Sequence, residues 1–337
     1  IKLFRKMCER ERVNCEVLGE ITGDGKVVVK DTVSGQTHVD LNLEQILTNM
    51  PQKTVRVVLR GGLGNQLFQY GAGLALSRRN NARLLIDTSI LPGESVTING
   101  VTRWPSQLGE FNHGGVLVNG TKSSQVTRRF HSSVLHVERQ VGDLAPKLMR
   151  KFGRFSNEKH GEFDHFYELA GNRIVVNSYC NSPRYFLEYG DEIRETVRSL
   201  RHPSSEFSNM ASLAKETQPL ALHVRLGDYK NLAKIYGRVD PRYFSSSLDL
   251  QMQLNGERDI WLFSDEPALA FDLLRDSKHK IIVPPDLQKL SGLETVLTMA
   301  SCSGLVASNS SFSWWAAYLN QDMNARVIFP RPFFALG

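Results

Sequence analysis

Four short stretches of this chain carry side chains that could hold an anion. In "ALHVRLGDYK" (221–230) an alternating, strand-like run ends in Gly-Asp-Tyr. Side chains alternate faces along a strand, so His223 and Arg225 share one face while Val224 and Leu226 share the other. Arginine is permanently charged and offers a planar fork that suits phosphate oxygens. At the carboxyl end of a strand, Arg225 could neutralise a diphosphate as the bond to it breaks. His223 reads equally as a buried, satisfied imidazole. Asp228 reads as a turn residue or a partner of Arg225. It is also the nearest carboxylate in the motif, and so a candidate general base.

Three further stretches could converge on the same ligand. "GGLGNQ" (61–66) joins a strand to a helix. Its glycines would let backbone approach a ligand, the helix N-terminus offers free amides, and Asn65 and Gln66 add side-chain donors. Position 67 is Leu where a dinucleotide fingerprint needs glycine, and no Gly-Lys-Ser/Thr follows, so neither common phosphate loop is present. A glycine turn here also has a purely structural reading. In "VASNSSFSWWAAYL" (306–319), Ser310, Ser311 and Ser313 stand at a helix start. One hydroxyl is an ordinary cap. Three, with Asn309 beside them, exceed what a cap requires and suit a diphosphate at the positive end of the helix. Trp314 and Trp315 read as core. In "WLFSDE" (261–266), Asp265 sits at a strand tip, just before Pro267 opens a helix. It either caps that helix or accepts two hydrogen bonds from the N1 and N2 donors of guanine.

Strands and helices must place these stretches side by side. From Thr54, "TVRVVLR", the glycine loop, "LFQYGAGLALSRR" and "ARLLID" read as a β-loop-α-β unit. Residues 92–170 carry little pattern. "RIVVNSYC" reads as a strand and "YFLEYGDEIRETVRSL" as an amphipathic helix. After Pro219, strands "LALHVRL", "DIWLFS", "KIIVPP", "GLVASN" and "RVIFP" alternate with helical runs, which implies parallel α/β structure with ligands beyond the strands' carboxyl ends. The first fifty residues differ. "NCEVLGEI" and "KVVVKD" flank a "TGDG" turn as a hairpin, and "DLNLEQILTNM" has helical spacing up to Pro51. The expected division is 1–53 as an appendage, 54–215 as one half and 216–337 as the other.

Composition narrows the class. The 337 residues are 41% hydrophobic and 23% charged, with a formal charge of +6. No run of Lys and Arg exceeds two residues, which suits a small anionic ligand at least as well as nucleic acid, and no nucleic-acid partner is expected. No stretch is apolar enough to cross a membrane, and the first residues are no secretory signal. These features lead to the expectation of a soluble, cytoplasmic protein. The chain begins with Ile, not Met, so a Golgi or membrane-associated parent is the alternative. Its four cysteines lack zinc spacing and are expected to be reduced.

The order "GGLGNQLFQYG", "HVRLGDY", "LFSDE", "SNSSFSWWAAYL" resembles the α-1,2-fucosyltransferases of glycosyltransferase family 11, over about residues 54–332. The resemblance implies a GT-B-like fold, two Rossmann-like halves facing a cleft. It also implies inverting transfer of fucose from GDP-fucose to the 2-hydroxyl of a galactose-type glycan acceptor, with no metal and no other cofactor. The absence of any Asp-x-Asp pair fits that expectation. By the same resemblance Arg225 would bind the β-phosphate, and His223 and Asp265 would sit near guanine. Ser310, Ser311 and Phe312 would line the diphosphate, while Gly64, Asn65 and Gln66 would close on it from the other half. The first half (54–215) would be the acceptor side, with the acceptor site in 92–170. Many relatives carry a second Arg where this chain has Leu226, which leaves a non-catalytic GDP-sugar or glycan binder as the alternative. Separately, residues 5–54 resemble a segment of phosphoribosylformylglycinamidine synthase that carries none of that family's ATP-binding or glutaminase machinery, and a fragment derived from that enzyme is the further alternative.

Overall fold

The computed structural model describes residues 26–30, 33–42, 53–98, 101–118, 154–156, 166–227, 239–322, 324–331 and 333. It divides into two compact units, Ile1–Gln52 and Lys53–Gly337. In the first, β1 (Lys26–Lys30) pairs antiparallel with β2 (Thr37–Asn42). The run 14–21, read above as the other arm of a hairpin with "KVVVKD", lies outside the described residues. Asp40, Leu41 and Asn42, read above as the start of a helix, end β2 instead. Ladder pairing with β1 outweighs their weak helical spacing.

The second unit holds two five-stranded sheets, every pairing in them parallel. Sheet one is built from β3 (Thr54–Val58), β4 (Arg83–Asp87), β7 (Val116–Val118), β8 (Arg154–Ser156) and β9 (Arg173–Asn177), in the order β7-β4-β3-β9-β8. Between β4 and β7 lies a small hairpin of β5 (Val96–Ile98) and β6 (Val101–Arg103). Sheet two is built from β10 (Leu220–Val224), β11 (Ile260–Ser264), β12 (Ile281–Ile282), β13 (Gly304–Val306) and β14 (Arg326–Ile328), in the order β12-β11-β10-β13-β14. Seven α-helices are found among the described residues: α1 (Leu63–Arg79), α2 (Gly190–Arg198), α3 (Ser205–Thr217), α4 (Pro241–Asn255), α5 (Pro267–Leu273), α6 (Gly292–Ala300) and α7 (Ser311–Leu319). None is long and apolar enough to cross a membrane.

Each sheet reverses direction of growth next to its first strand. In sheet two the chain moves from β10 to β11 and β12 on one side, then returns to β13 and β14 on the other. The crevice between the carboxyl tips of β10 and β13 is the topological switch point, the usual place for a ligand in such a sheet.

Alternation along β10 divides its surroundings. Leu220, Leu222 and Val224 pack with Phe244, Leu248 and Leu262 on the outer face, and Leu226 rests against that cluster. Ala221 faces the larger core, which joins sheet one to α1, α6 and α7. There Phe68 of α1 meets Trp314 at 4.5 Å and Trp315 at 5.2 Å, so both tryptophans are packing residues as expected. Helix α1 starts at Leu63, earlier than the sequence suggested, and Gly64, Asn65 and Gln66 belong to its first turn. Helix α3, which drew no sequence signal above, begins with Ser204 as its N-cap and ends on Gln218 in the left-handed region.

Candidate active site

A cleft of about 640 Å³ opens between the carboxyl tips of the two sheets. Gly61 to Asn65, Trp104 and Tyr179 line it from sheet one's side. His223, Arg225, Asp265 and Ser310 to Phe312 line it from sheet two's side. Of the residues singled out from sequence, His223, Arg225, Asp265, Ser310, Ser311, Phe312, Gly64 and Asn65 line this cleft, Gln66 and Ser313 do not, and Asp228 lies outside the described residues.

Arg225 lies one residue beyond β10 and is held at its backbone by Ser308 and at its side chain by Asp265. Its backbone amide donates to Ser308 Oγ at 2.9 Å, and that hydroxyl donates to His223 O at 2.8 Å, tying the tips of β10 and β13 together. Its Nε stands 3.2 Å from Asp265 Oδ2. Asp265 also accepts from the amides of Leu226 and Gly227, each at 2.9 Å. A Cβ at position 227 would sit 2.5 Å from Asp265 Oδ2, which explains the glycine of the Gly-Asp-Tyr turn. Asp265 is therefore the residue that orients Arg225. It does not cap α5, whose N-cap is Glu266 without a side-chain bond. A guanine edge would have to share carboxylate oxygens already accepting two amide hydrogen bonds and paired with Arg225. Asp228 lies outside the described residues.

His223 is buried, its Nδ1 hydrogen-bonded to Ser313 Oγ and its ring 5.6 Å from that of Phe312. Burial, reinforced by the charge of Arg225, lowers its pKa to about 4, so the imidazole is neutral near pH 7. Ser310 caps α7 by accepting from Phe312 N at 3.3 Å, which leaves Ser311 as the hydroxyl beyond the cap at the cleft wall. Ser313 faces His223 and not the cleft.

The glycine loop is assembled differently from the sequence expectation. A Cβ on Gly64 would fall 2.6 Å from Ser311 C and Oγ, and 2.7 Å from Phe312 N. The missing side chain admits the start of α7 as well as lining the cleft, and Trp315 Nε1 donates to Gly64 O at 2.9 Å. Asn65 lines the cleft. Gln66 does not. It is fully buried, its Nε2 donates to Gly61 O and Pro105 O, both at 2.9 Å, and its Oε1 accepts from Gln107 N at 2.8 Å. Its amide is saturated by the chain, which corrects the reading of Gln66 as a donor to ligand.

The cleft walls are also joined below Gln107. Glu110 accepts a hydrogen bond from Ser291 Oγ, the N-cap of α6, whose Gly292 and Thr295 line the cleft. Burial raises the Glu110 pKa, partly offset by that hydroxyl, and the charge of Glu294 adds to the rise. Among the described residues no group of three or more His, Cys, Asp or Glu gathers as metal ligands. The sequence reading missed Ser308, Trp104 and Tyr179. Ser308 stands inside a motif already singled out, whereas the two aromatics carry no local signal.

Two parallel α/β halves, with an oriented arginine and a helix N-terminus at the cleft between them, define a GT-B-like glycosyltransferase. The family model described as "Glycosyl transferase family 11" matches residues 157–332, and the chain belongs to that family. The chain is similar to the O-antigen biosynthesis glycosyltransferase WbnK of Escherichia coli, with 27% identity over 82% of this chain and 94% of the relative. It is similar at the same identity to an alpha-1,2-colitosyltransferase of Escherichia coli, over 82% of this chain and 91% of the relative. Neither relative supports the resemblance to a purine-synthesis enzyme read above for residues 5–54. Among solved structures, the fucosyltransferase NodZ from Bradyrhizobium aligns with a TM-score of 0.46 at 16% identity, covering 79% of this chain and 93% of that one.

Proposed function

We propose that this glycosyltransferase moves L-fucose from GDP-fucose to the 2-hydroxyl of a terminal galactose-type acceptor, with inversion and without metal. The observation that carries the reading is Arg225. Its guanidinium is oriented by Asp265 and its backbone by Ser308, at a switch point that also presents Ser311 and the N-terminus of α7. In the proposed reaction the acceptor oxygen attacks the anomeric carbon as the bond from that carbon to the β-phosphate oxygen breaks. The electron pair leaves with GDP. Arg225 and the helix N-terminus neutralise the charge that develops there, the task a metal ion performs in other sites. The acceptor proton goes to a general base, proposed as Asp228. Neutral His223, fixed by Ser313, would border the nucleotide next to Phe312.

A colitosyl donor is the second reading, favoured by the relative named for that transfer. Incubation with GDP-fucose and a β-galactoside in the presence of a chelator tests the proposal. Released GDP together with a fucosylated product supports it, while tight GDP binding without product makes the chain a binder. An Arg225→Ala variant is expected to lose kcat by about 100- to 1000-fold, the usual cost of removing one preorganised charge-stabilising donor. Unaltered turnover in that variant would remove Arg225 from the mechanism.

A further inference from the structure

The donor reading occupies one switch point, and sheet one has another. There the chain grows from β3 through β4 to β7 on one side and returns through β8 and β9 on the other, so the crevice lies between the tips of β3 and β9. Open α/β sheets take ligands in that crevice. The residues following those strands are Leu59 to Gly62 and Ser178 to Tyr179, and Gly61, Gly62 and Tyr179 line the same cleft as Arg225.

Tyr179 is prepared as a platform. The Arg60 guanidinium donates to Asn177 Oδ1 and lies 5.7 Å from the centroid of the Tyr179 ring. One face of the ring is thus backed by an anchored cation, while the residue keeps 45% of its surface exposed. Trp104 supplies a second aromatic wall. Its Cδ1 would be 3.3 Å from a Cβ on Gly62, so the indole lies close to bare backbone. Thr102 and Gln107 add polar groups to the same wall. Arg60 itself does not line the cleft, so among the described residues this wall presents no cation of the kind a phosphate would require. Aromatic faces flanked by a hydroxyl and an amide suit a ligand with apolar C–H faces and a polar rim, which describes a pyranose ring.

We propose that Tyr179 and Trp104 form the acceptor-sugar subsite, holding a terminal hexopyranoside at the switch point of sheet one, opposite Arg225. Calling that sugar the acceptor rests on the transferase reading above. Trp104 falls within the 92–170 stretch expected to hold the acceptor, and Tyr179 lies outside it.

The test measures binding of methyl β-galactoside to the full chain by ligand-observed NMR titration, with and without saturating GDP, and of GDP by calorimetry. Tyr179→Ala and Trp104→Ala are each expected to weaken the galactoside about tenfold, as loss of one stacking face implies, with GDP affinity changed less than about twofold. Tyr179→Phe and Trp104→Phe keep a ring and should recover most of that loss. Galactoside affinity unchanged in the Ala variants, an equal loss of GDP affinity, or no binding of any methyl hexopyranoside by the wild type overturns the subsite. A wild type that binds galactoside but not GDP removes the donor reading and leaves the subsite standing. The reverse pattern removes the subsite alone.

Discussion

Substituting Gly64 by Ala separates two roles for the glycine loop. If the glycine serves only to let a ligand approach, a methyl group there blocks the cleft and leaves the fold intact. The contacts argue for a structural role as well. The new Cβ would lie 2.6 Å from Ser311 C and Oγ, against an ordinary contact of about 3.4 Å, so the starts of α1 and α7 must part by about 0.8 Å. Both neighbours include backbone, which cannot rotate aside. Overpacking of this kind costs about 1–3 kcal/mol. Parting the helices also stretches the buried bond from Trp315 Nε1 to Gly64 O, worth about 1 kcal/mol. A total of about 3 kcal/mol corresponds to a drop in melting temperature of about 6 °C for a unit of this size. Thermal melts followed by circular dichroism, with GDP calorimetry on the folded variant, read both effects. Gly64→Ala should lower the melting temperature and weaken GDP, because Ser311 and Phe312 move with α7. A variant melting within about 1 °C of wild type would refute the packing argument, whatever happens to GDP.

Two other outcomes follow from the same contacts. His223 has a folded pKa of about 4, below its ordinary 6.5, so the unfolded chain binds the proton more readily between those values. Its contribution is complete above pH 6.5 and is lost as pH falls towards 4, by about 3 kcal/mol in all. His223→Gln should therefore flatten the fall in melting temperature between pH 7 and pH 4.5, and parallel curves for the two proteins would exclude the effect. Gln66→Ala removes three buried hydrogen bonds and should cost about 3–5 kcal/mol of stability while changing GDP affinity less than about fivefold. Lost GDP affinity at an unchanged melting temperature would return Gln66 to the ligand.

Much of the fold was legible because its signals are local. Period-two alternation in "LALHV" set the parity by which Leu222 and Val224 enter the outer cluster while His223 and Arg225 turn to the cleft. Strand-helix alternation after Pro219 gave parallel pairing, and the hydroxyls after β13 did mark a helix start. The short strands β7 and β8 were not legible, since three residues that depend on neighbours in the sheet leave no period. Leu226 is explained by the same parity. Its side chain meets the outer cluster, and the contact it makes to Asp265 is through its backbone amide.

The sequence alone determined which residue types stand at the strand tips, because each element's periodicity depends on residues a few positions apart. It could not determine which tips become neighbours. Arg225 and Ser308 are 83 residues apart, and Trp315 and Gly64 are 251 apart, yet sheet order and helix packing join each pair by a hydrogen bond. That long-range choice turned Asp265 onto Arg225, enclosed Gln66, pressed α7 against Gly64 and brought Tyr179 into the wall facing the arginine. Strand periodicity is a property of the chain, whereas a switch-point crevice exists only once two sheets have closed around it.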